Sequence, residues 1–234
     1  MNETIAVVFD FDDTLAPDTT TGFLRHSGMT DVGRFWKEDV DPLITRADWD
    51  PVPAYLHRMI EAGRAGRIPA ITRENLAEWG RQAPLHPGVE TLFGRLRQAA
   101  RDANSQVKLE FYVISSGIGD VLRATRIAHE FTDIWASEFH YDETGAACFP
   151  RRVISFTDKT RYIFHVQKGL VGAAHRGKPF EVNRKLPTDQ IRVPLRQMIF
   201  VGDGYTDIPC VSLLKQNGGM PIAVCGEMAG DPQL

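Results

Sequence analysis

One feature near the start of the chain constrains the fold more than any other. Thr4-Ile-Ala-Val-Val-Phe9 is a β-branched and apolar run, cut off at once by Asp10-Phe-Asp-Asp13. A strand that is apolar on both sides is buried on both faces, which suits the centre of a parallel sheet. Carboxylates have no place in such a layer, so the chain must leave the sheet at Asp10, the carboxyl end of the strand. In open α/β sheets that edge is where ligands bind.

The rest of the chain alternates in the way such a sheet requires. Residues 16–86 carry aromatic-rich segments separated by Gly, Pro and Asp: Phe23-Leu24, Phe35-Trp36, Tyr55–Ile60 and Leu76–Trp79 each suit one apolar face of a short helix. No strand-like alternation appears there, so the stretch predicts a small all-helical insert. After His86-Pro-Gly88, the residues Val89, Leu92, Phe93, Leu96, Ala99 and Ala100 recur at helical spacing. A strand Val107–Ile114 follows, then Ser115-Ser-Gly117 and a helix predicted through Ala128. Residues 133–150 predict a strand and hairpin turning at Asp142–Gly145. A helix over Thr157–Lys168 is predicted to end at Gly169, and a long Pro-, Lys- and Arg-containing connection spans 170–196. Strands over Gln197–Val201 and Met220–Cys225 complete an α/β chain with a mostly parallel sheet. The expected division is a catalytic core of 1–15 and 87–234 with an insert of 16–86. A length of 234 residues accommodates a body of about 150 residues and a smaller appendage.

Composition narrows the classes of function. A hydrophobic content of 43% with 24% charged residues excludes a disordered or collagen-like chain. The 27 basic and 30 acidic residues leave a net charge of −3, so there is no general electrostatic drive towards nucleic acid or an anionic membrane. No apolar run approaches the ~18–20 residues of a membrane span. The opening Met-Asn-Glu-Thr lacks the basic region of a secretory leader. Cys148, Cys210 and Cys225 form no short-spaced pair, which argues against a zinc knuckle or disulfide framework and for buried thiols in a cytoplasmic protein.

Three predicted strand ends carry polar groups: Asp10-Phe-Asp-Asp-Thr14, Ser115-Ser-Gly117 and Asp203-Gly-Tyr-Thr-Asp207. A parallel sheet brings them to one edge together with Lys159, in the first turn of its helix. Four or more carboxylates there repel one another unless a cation lies among them. Mg²⁺ fits, because it is satisfied by one or two carboxylates, waters and a substrate phosphate oxygen. In this reading Asp10 is the nucleophile towards phosphorus, and Asp12 protonates a leaving oxygen and later deprotonates water. Ser115 offers a hydroxyl, and Ser116 and Gly117 offer backbone N–H groups at a helix N-terminus. Lys159 supplies positive charge to the phosphoryl oxygens. Asp10, Asp12, Asp203 and Asp207 are the candidate metal ligands. Thr14 is expected to hydrogen-bond within its loop, and Asp13 to be an exposed or capping acid. Lys168 is a second candidate for the lysine, but it precedes Gly169, where a cation complements the helix dipole.

The run Phe9-Asp-Phe-Asp-Asp-Thr-Leu15, with Ser115, Lys159 and Gly202-Asp-Gly-Tyr-Thr-Asp207, resembles the four motifs of the haloacid dehalogenase-like hydrolase superfamily, in order and rough spacing across essentially the whole chain. The resemblance implies a Rossmann-like core, Mg²⁺ dependence, an aspartyl-phosphate intermediate, and a cap formed by the helical insert after the first strand. Phosphatases and phosphotransferases of that superfamily carry the second aspartate, present here as Asp12; its dehalogenases lack it. The expected activity is therefore hydrolysis of a phosphomonoester of a small metabolite. The alternatives are a phosphotransferase of the same family and, from a different class, a phospho-accepting signalling domain. Receiver domains of that class are about half this length and place the phosphorylated Asp on a middle strand.

Overall fold

The computed structural model describes residues 3–225. Strand β1 (Glu3–Phe9) is followed by helices α1 (Thr19–His26), α2 (Val32–Arg34), α3 (Asp41–Ala47), α4 (Pro51–Arg64) and α5 (Arg73–Gln82), with a π-helical stretch, Phe35–Val40, between α2 and α3. Helix α6 (Val89–Ala103) leads to β2 (Val107–Ile118), α7 (Gly119–Leu122), β3 (Asp133–Tyr141), β4 (Ala147–Arg152) and α8 (Asp158–Lys168). A connection of short 3₁₀ turns reaches β5 (Met198–Gly202), which is followed by α9 (Ile208–Gln216) and β6 (Met220–Ala223).

The strands form one sheet in the order β4-β3-β2-β1-β5-β6. All neighbours are parallel except β3 and β4, which form the expected hairpin at one edge. This is an α/β, Rossmann-like fold. Strand β1 lies between β2 and β5, so the uninterrupted apolar run is central, as its composition requires. Its alternating side chains feed two cores. Val7 and Phe9 pack on one face with Phe93 of α6 and with residues of the 16–86 segment. Ala6 and Val8 pack on the other with Tyr162, Ile163 and Val166 of α8 and Cys210 and Leu214 of α9.

The 16–86 segment contains helices and no strand, and its ends lie side by side: the His86 amide donates to the Leu15 carbonyl at 2.9 Å. Local chemistry starts its helices. Asp18 accepts from the Thr21 amide at the start of α1, and Thr72 and Asn75 cap one another's backbone at the start of α5. Of its aromatics, Phe23 and Phe35 are fully buried. Trp36 and Trp79 are half-buried, with their indole N–H groups donating to the Thr21 hydroxyl and the Thr19 carbonyl.

Two expectations fail. The helix predicted through Ala128 is a single turn, α7, and Ser115-Ser-Gly117 belong to β2. The Thr125 hydroxyl and amide both bond the Leu122 carbonyl and close the turn, while α5 presses on it from outside. A Cβ at Gly80 of α5 would lie 2.3 Å from the Val121 carbonyl oxygen, so only glycine permits that approach. The second failure concerns the thiols: Cys210 is buried, but Cys148 is partly exposed and Cys225 exposed. Among the described residues, no helix is long and apolar enough to cross a membrane.

Phe93 joins the layers on one face of the sheet. It is fully buried and meets Phe9 at 5.9 Å and Phe111 and Phe131 at 5.2 Å between ring centroids. Phe93→Ala is expected to lower the unfolding free energy by about 3–5 kcal/mol in urea titrations, through a cavity that three rings cannot collapse to fill.

Candidate active site

The carboxyl ends of β1, β2 and β5 converge. Where β1 ends, the Asp10 amide donates to the Val201 carbonyl of β5 at 2.8 Å, which carries the strand pairing one residue beyond β1. Lys159, in the first turn of α8, reaches across and is fully buried. Its ammonium donates to Asp10 Oδ2 at 2.6 Å, Asp207 Oδ1 at 2.7 Å and the Thr206 hydroxyl at 3.0 Å. All three donors are thereby used. The other Asp207 oxygen accepts from the Gly204 amide at 3.2 Å. A Cβ at Gly202 would lie 2.2 Å from that same oxygen, so the carboxylate occupies the space a side chain would take.

Asp10, Asp203 and Asp207 offer oxygens that all lie within 4.8 Å of one another. Asp203 is exposed, and its Oδ1 accepts from the Thr14 hydroxyl at 2.9 Å, so Thr14 does serve the loop. Three carboxylates against one ammonium leave an excess of negative charge that a divalent cation neutralises. The donors are all hard oxygens, with no thiolate or imidazole among them, and they fit Mg²⁺ by that chemistry.

Asp12 faces a different environment. Its Oδ1 accepts from the Thr19 amide at 2.8 Å and the Thr19 hydroxyl at 2.6 Å, at the start of α1. Its carboxylate thus lies outside the Asp10–Asp203–Asp207 group. Its other oxygen is 2.5 Å from where a Cβ on Gly117 would stand, which is the close approach that glycine permits. Asp13 makes the turn between the two environments, with φ at 57° and its amide bonded to the Ala16 carbonyl. Burial pushes the Asp12 carboxyl up to about 7, offset only in part by the bonds from Thr19. Burial also pushes Asp10 up to about 6, against the opposing pull of the Lys159 ammonium. Burial lowers Lys159, but Asp10 and Asp207 together outweigh it and raise its pKa. The ammonium is therefore a permanent charge.

Ser115 is buried at the end of β2, where its hydroxyl accepts from the Gly117 amide at 2.9 Å. The Ser116 hydroxyl oxygen is buried and has no hydrogen-bond partner among the described residues. Ser116 and Gly117 belong to β2, which continues to Ile118, so the helix after them, α7, begins two residues beyond Gly117 at Gly119. Lys168 lies away from the cluster and donates to the carbonyls of Val182 and Arg184, tying down the 170–196 connection.

Three contacts escaped the sequence reading. Thr19 holds Asp12, Thr206 shares the Lys159 ammonium, and Tyr55 of α4 donates to the Ser116 carbonyl at 2.7 Å. Thr206 lies inside the Asp203–Asp207 motif and was legible as its neighbour. Thr19 and Tyr55 carry no such signal. Burial, then the nearby Asp12, Asp18 and Asp10 carboxylates, hold the Tyr55 phenol well above its ordinary value, so it remains a donor.

The raised carboxyl of Asp12 has a consequence for stability. A group whose folded pKa lies above its unfolded value stabilises the fold when protonated, and that contribution is lost as pH rises towards about 7. Asp12→Asn keeps an acceptor for Thr19 and cannot ionise. Its melting temperature relative to the parent is expected to rise between pH 4 and pH 8 in chelator-treated protein, measured by calorimetry. A difference independent of pH would contradict this.

Comparison with known proteins agrees with this geometry. Residues 7–212 match the family described as haloacid dehalogenase-like hydrolase. An uncharacterized protein of Borreliella burgdorferi is 24% identical over 231 residues, covering 90% of this chain and 78% of that protein. Among solved structures, a HAD family hydrolase from Salmonella enterica superposes with a TM-score of 0.60 at 13% identity, over 95% of this chain and 68% of the other. A probable phosphoserine phosphatase from Vibrio cholerae gives 0.58 at 13% identity, over 95% and 56%. A phosphoserine phosphatase solved as a phospho-aspartyl intermediate analogue gives 0.54 at 14% identity, covering 95% of each chain. Those structures share the fold; with the family match over most of its length, the chain belongs to the haloacid dehalogenase-like hydrolases.

Proposed function

We propose that this protein is a Mg²⁺-dependent phosphatase, hydrolysing a phosphomonoester of a small metabolite through an aspartyl-phosphate on Asp10. The observation that carries this reading is the contrast between two carboxyls in one short turn. Asp10 is bonded to a buried ammonium, whereas Asp12 is half-buried against Thr19 with no cation bonded to it. Titratable groups whose surroundings differ in this way divide into nucleophile and acid.

In the proposed sequence the ionised Asp10 attacks phosphorus, and the ester oxygen leaves with the proton of Asp12. The Asp12 carboxylate then takes a proton from water, which attacks the same phosphorus and returns Asp10 with inorganic phosphate. Lys159 holds Asp10 and Asp207 and adds positive charge beside the phosphoryl oxygens. Ser115, Ser116 and Gly117 border the phosphate, with the unpartnered Ser116 hydroxyl free to bond it. Asp10, Asp203 and Asp207 are the residues that would hold magnesium, which when bound offsets the charge of the phosphoryl group.

We assign residues 16–86 the role of a cap. The paired ends at Leu15 and His86, and the approach of Thr19 and Tyr55 to the site, support this. Because the solved relatives include phosphoserine phosphatases, among them a substrate-bound complex, phosphoserine is the first substrate to test.

Turnover of a generic phosphomonoester with Mg²⁺ is expected to vanish in Asp10→Asn and to fall about 10²–10⁴-fold in Asp12→Asn. Full activity of Asp10→Asn would remove it as nucleophile. The pH profile is expected to be bell-shaped. Activity rises as Asp10 ionises, at or below about 6 since a bound cation lowers it, and falls as Asp12 loses its proton near 7. A plateau extending to pH 9 would contradict the role of Asp12.

A further inference from the structure

A cavity of about 620 Å³ opens at the β3–β4 edge of the sheet between α8 and the 170–179 stretch. Asp10, Asp12, Ser115, Lys159, Asp203 and Asp207 are absent from its wall. Its volume is in the range of small-molecule sites, roughly 300–1,000 Å³. The floor is apolar and aromatic: Ile134, Trp135 and Tyr162 line it and are buried. The rest of the wall carries Arg151, Arg152, Arg161, Arg176 and Lys178. The side chains of Arg151, Arg176 and Lys178 are more than half exposed.

The charges around this cavity do not balance. Glu138 alone answers Arg151, Arg152 and also Arg123 behind the wall. Asp133 lies 3.5 Å from Arg176, Asp158 3.2 Å from Arg161, and Glu181 3.9 Å from Lys178. With Arg123 included, this set of ion pairs holds six permanent cations, five of them on the cavity wall, against four carboxylates, in a chain whose overall charge is −3. The buried Nε of Arg161 has no hydrogen-bond partner among the described residues. An excess of two positive charges is neutralised by one phosphate dianion, and guanidinium forks match its oxygens in pairs. The cavity is far larger than inorganic phosphate needs, and its apolar floor suits an organic body attached to the phosphate.

We infer that this cavity binds a phosphorylated organic anion of nucleotide size, at a site separate from the catalytic carboxylates. Such a ligand would place its phosphate among Arg151, Arg161 and Arg176 and its body against the apolar floor beside Ile134 and Trp135.

The test is calorimetric titration of ADP into the full chain with excess chelator, which removes metal-dependent binding at the catalytic carboxylates. Saturable binding is expected, unchanged within about twofold in Asp203→Asn, because Asp203 is not part of the cavity wall. Arg161→Ala and Arg176→Ala are expected to weaken it about tenfold or more, as loss of a charge-assisted pair does. Lys178→Ala, an exposed position that leaves the fold intact, is expected to weaken it about threefold, so the inference stays testable if an arginine variant fails to fold. Citrate and adenosine are expected to bind at least about tenfold more weakly than ADP. Absence of binding at millimolar ADP would overturn the inference. So would loss of binding in Asp203→Asn with no effect of Arg176→Ala and Lys178→Ala, or equal affinity for citrate.

Discussion

The site rests on one buried ammonium shared between two carboxylates. Removing Lys159 from water is costly, and the attraction of Asp10 and Asp207 offsets that cost only because all three of its donors find oxygen partners. The bond therefore joins elements far apart in sequence: the end of β1, the first turn of α8, and the turn before α9. It also orders the surroundings. Gly202 lacks the side chain that would displace Asp207, and the Gly204 amide satisfies the oxygen that Lys159 does not reach. Loss of one member would strand buried charge on the others, which is why this cluster behaves as a unit and not as separate residues.

The same turn that presents Asp10 to the ammonium turns Asp12 away from it. Asp13, in the left-handed region, reverses the backbone between the strand and Ala16, and Thr19 then takes the Asp12 carboxylate as α1 begins. Two acids two positions apart thus meet opposite electrostatics. The helical segment takes part in this directly, since the hydroxyl that holds Asp12 belongs to its first helix.

Much of this was legible in the chain. Thr4–Phe9 had to be a central strand because both of its sides are apolar, and the acids could only follow at its end. Lys159 was readable over Lys168 by its place in the first helical turn. What was not legible depended on contacts between elements. The helix after Gly117 stops at Leu122 because Thr125 bonds back to it and Gly80 lets α5 press on it; neither residue advertises that role. For the same reason Ser116 and Gly117 remain in a strand. The carboxylate group lacks Asp12, which instead accepts from the amide and hydroxyl of Thr19, a residue of the helical segment with no sequence signal for that role. The basic cavity was out of reach, since Arg151, Arg161 and Arg176 are scattered over separate elements that only the fold brings together.

The shared core of the helical segment and the sheet sets limits on motion. Phe23, Phe35, Leu56, Ile60 and Leu76 belong to one apolar cluster with Phe9, Phe111 and Val113. The Ala147 amide of β4 also bonds the Ile71 carbonyl, and Tyr55 bonds Ser116. Swinging the segment away as a body would expose that cluster to water and break both bonds, which makes such a movement costly. Movement confined to the rim of the segment would leave that shared core and both bonds intact.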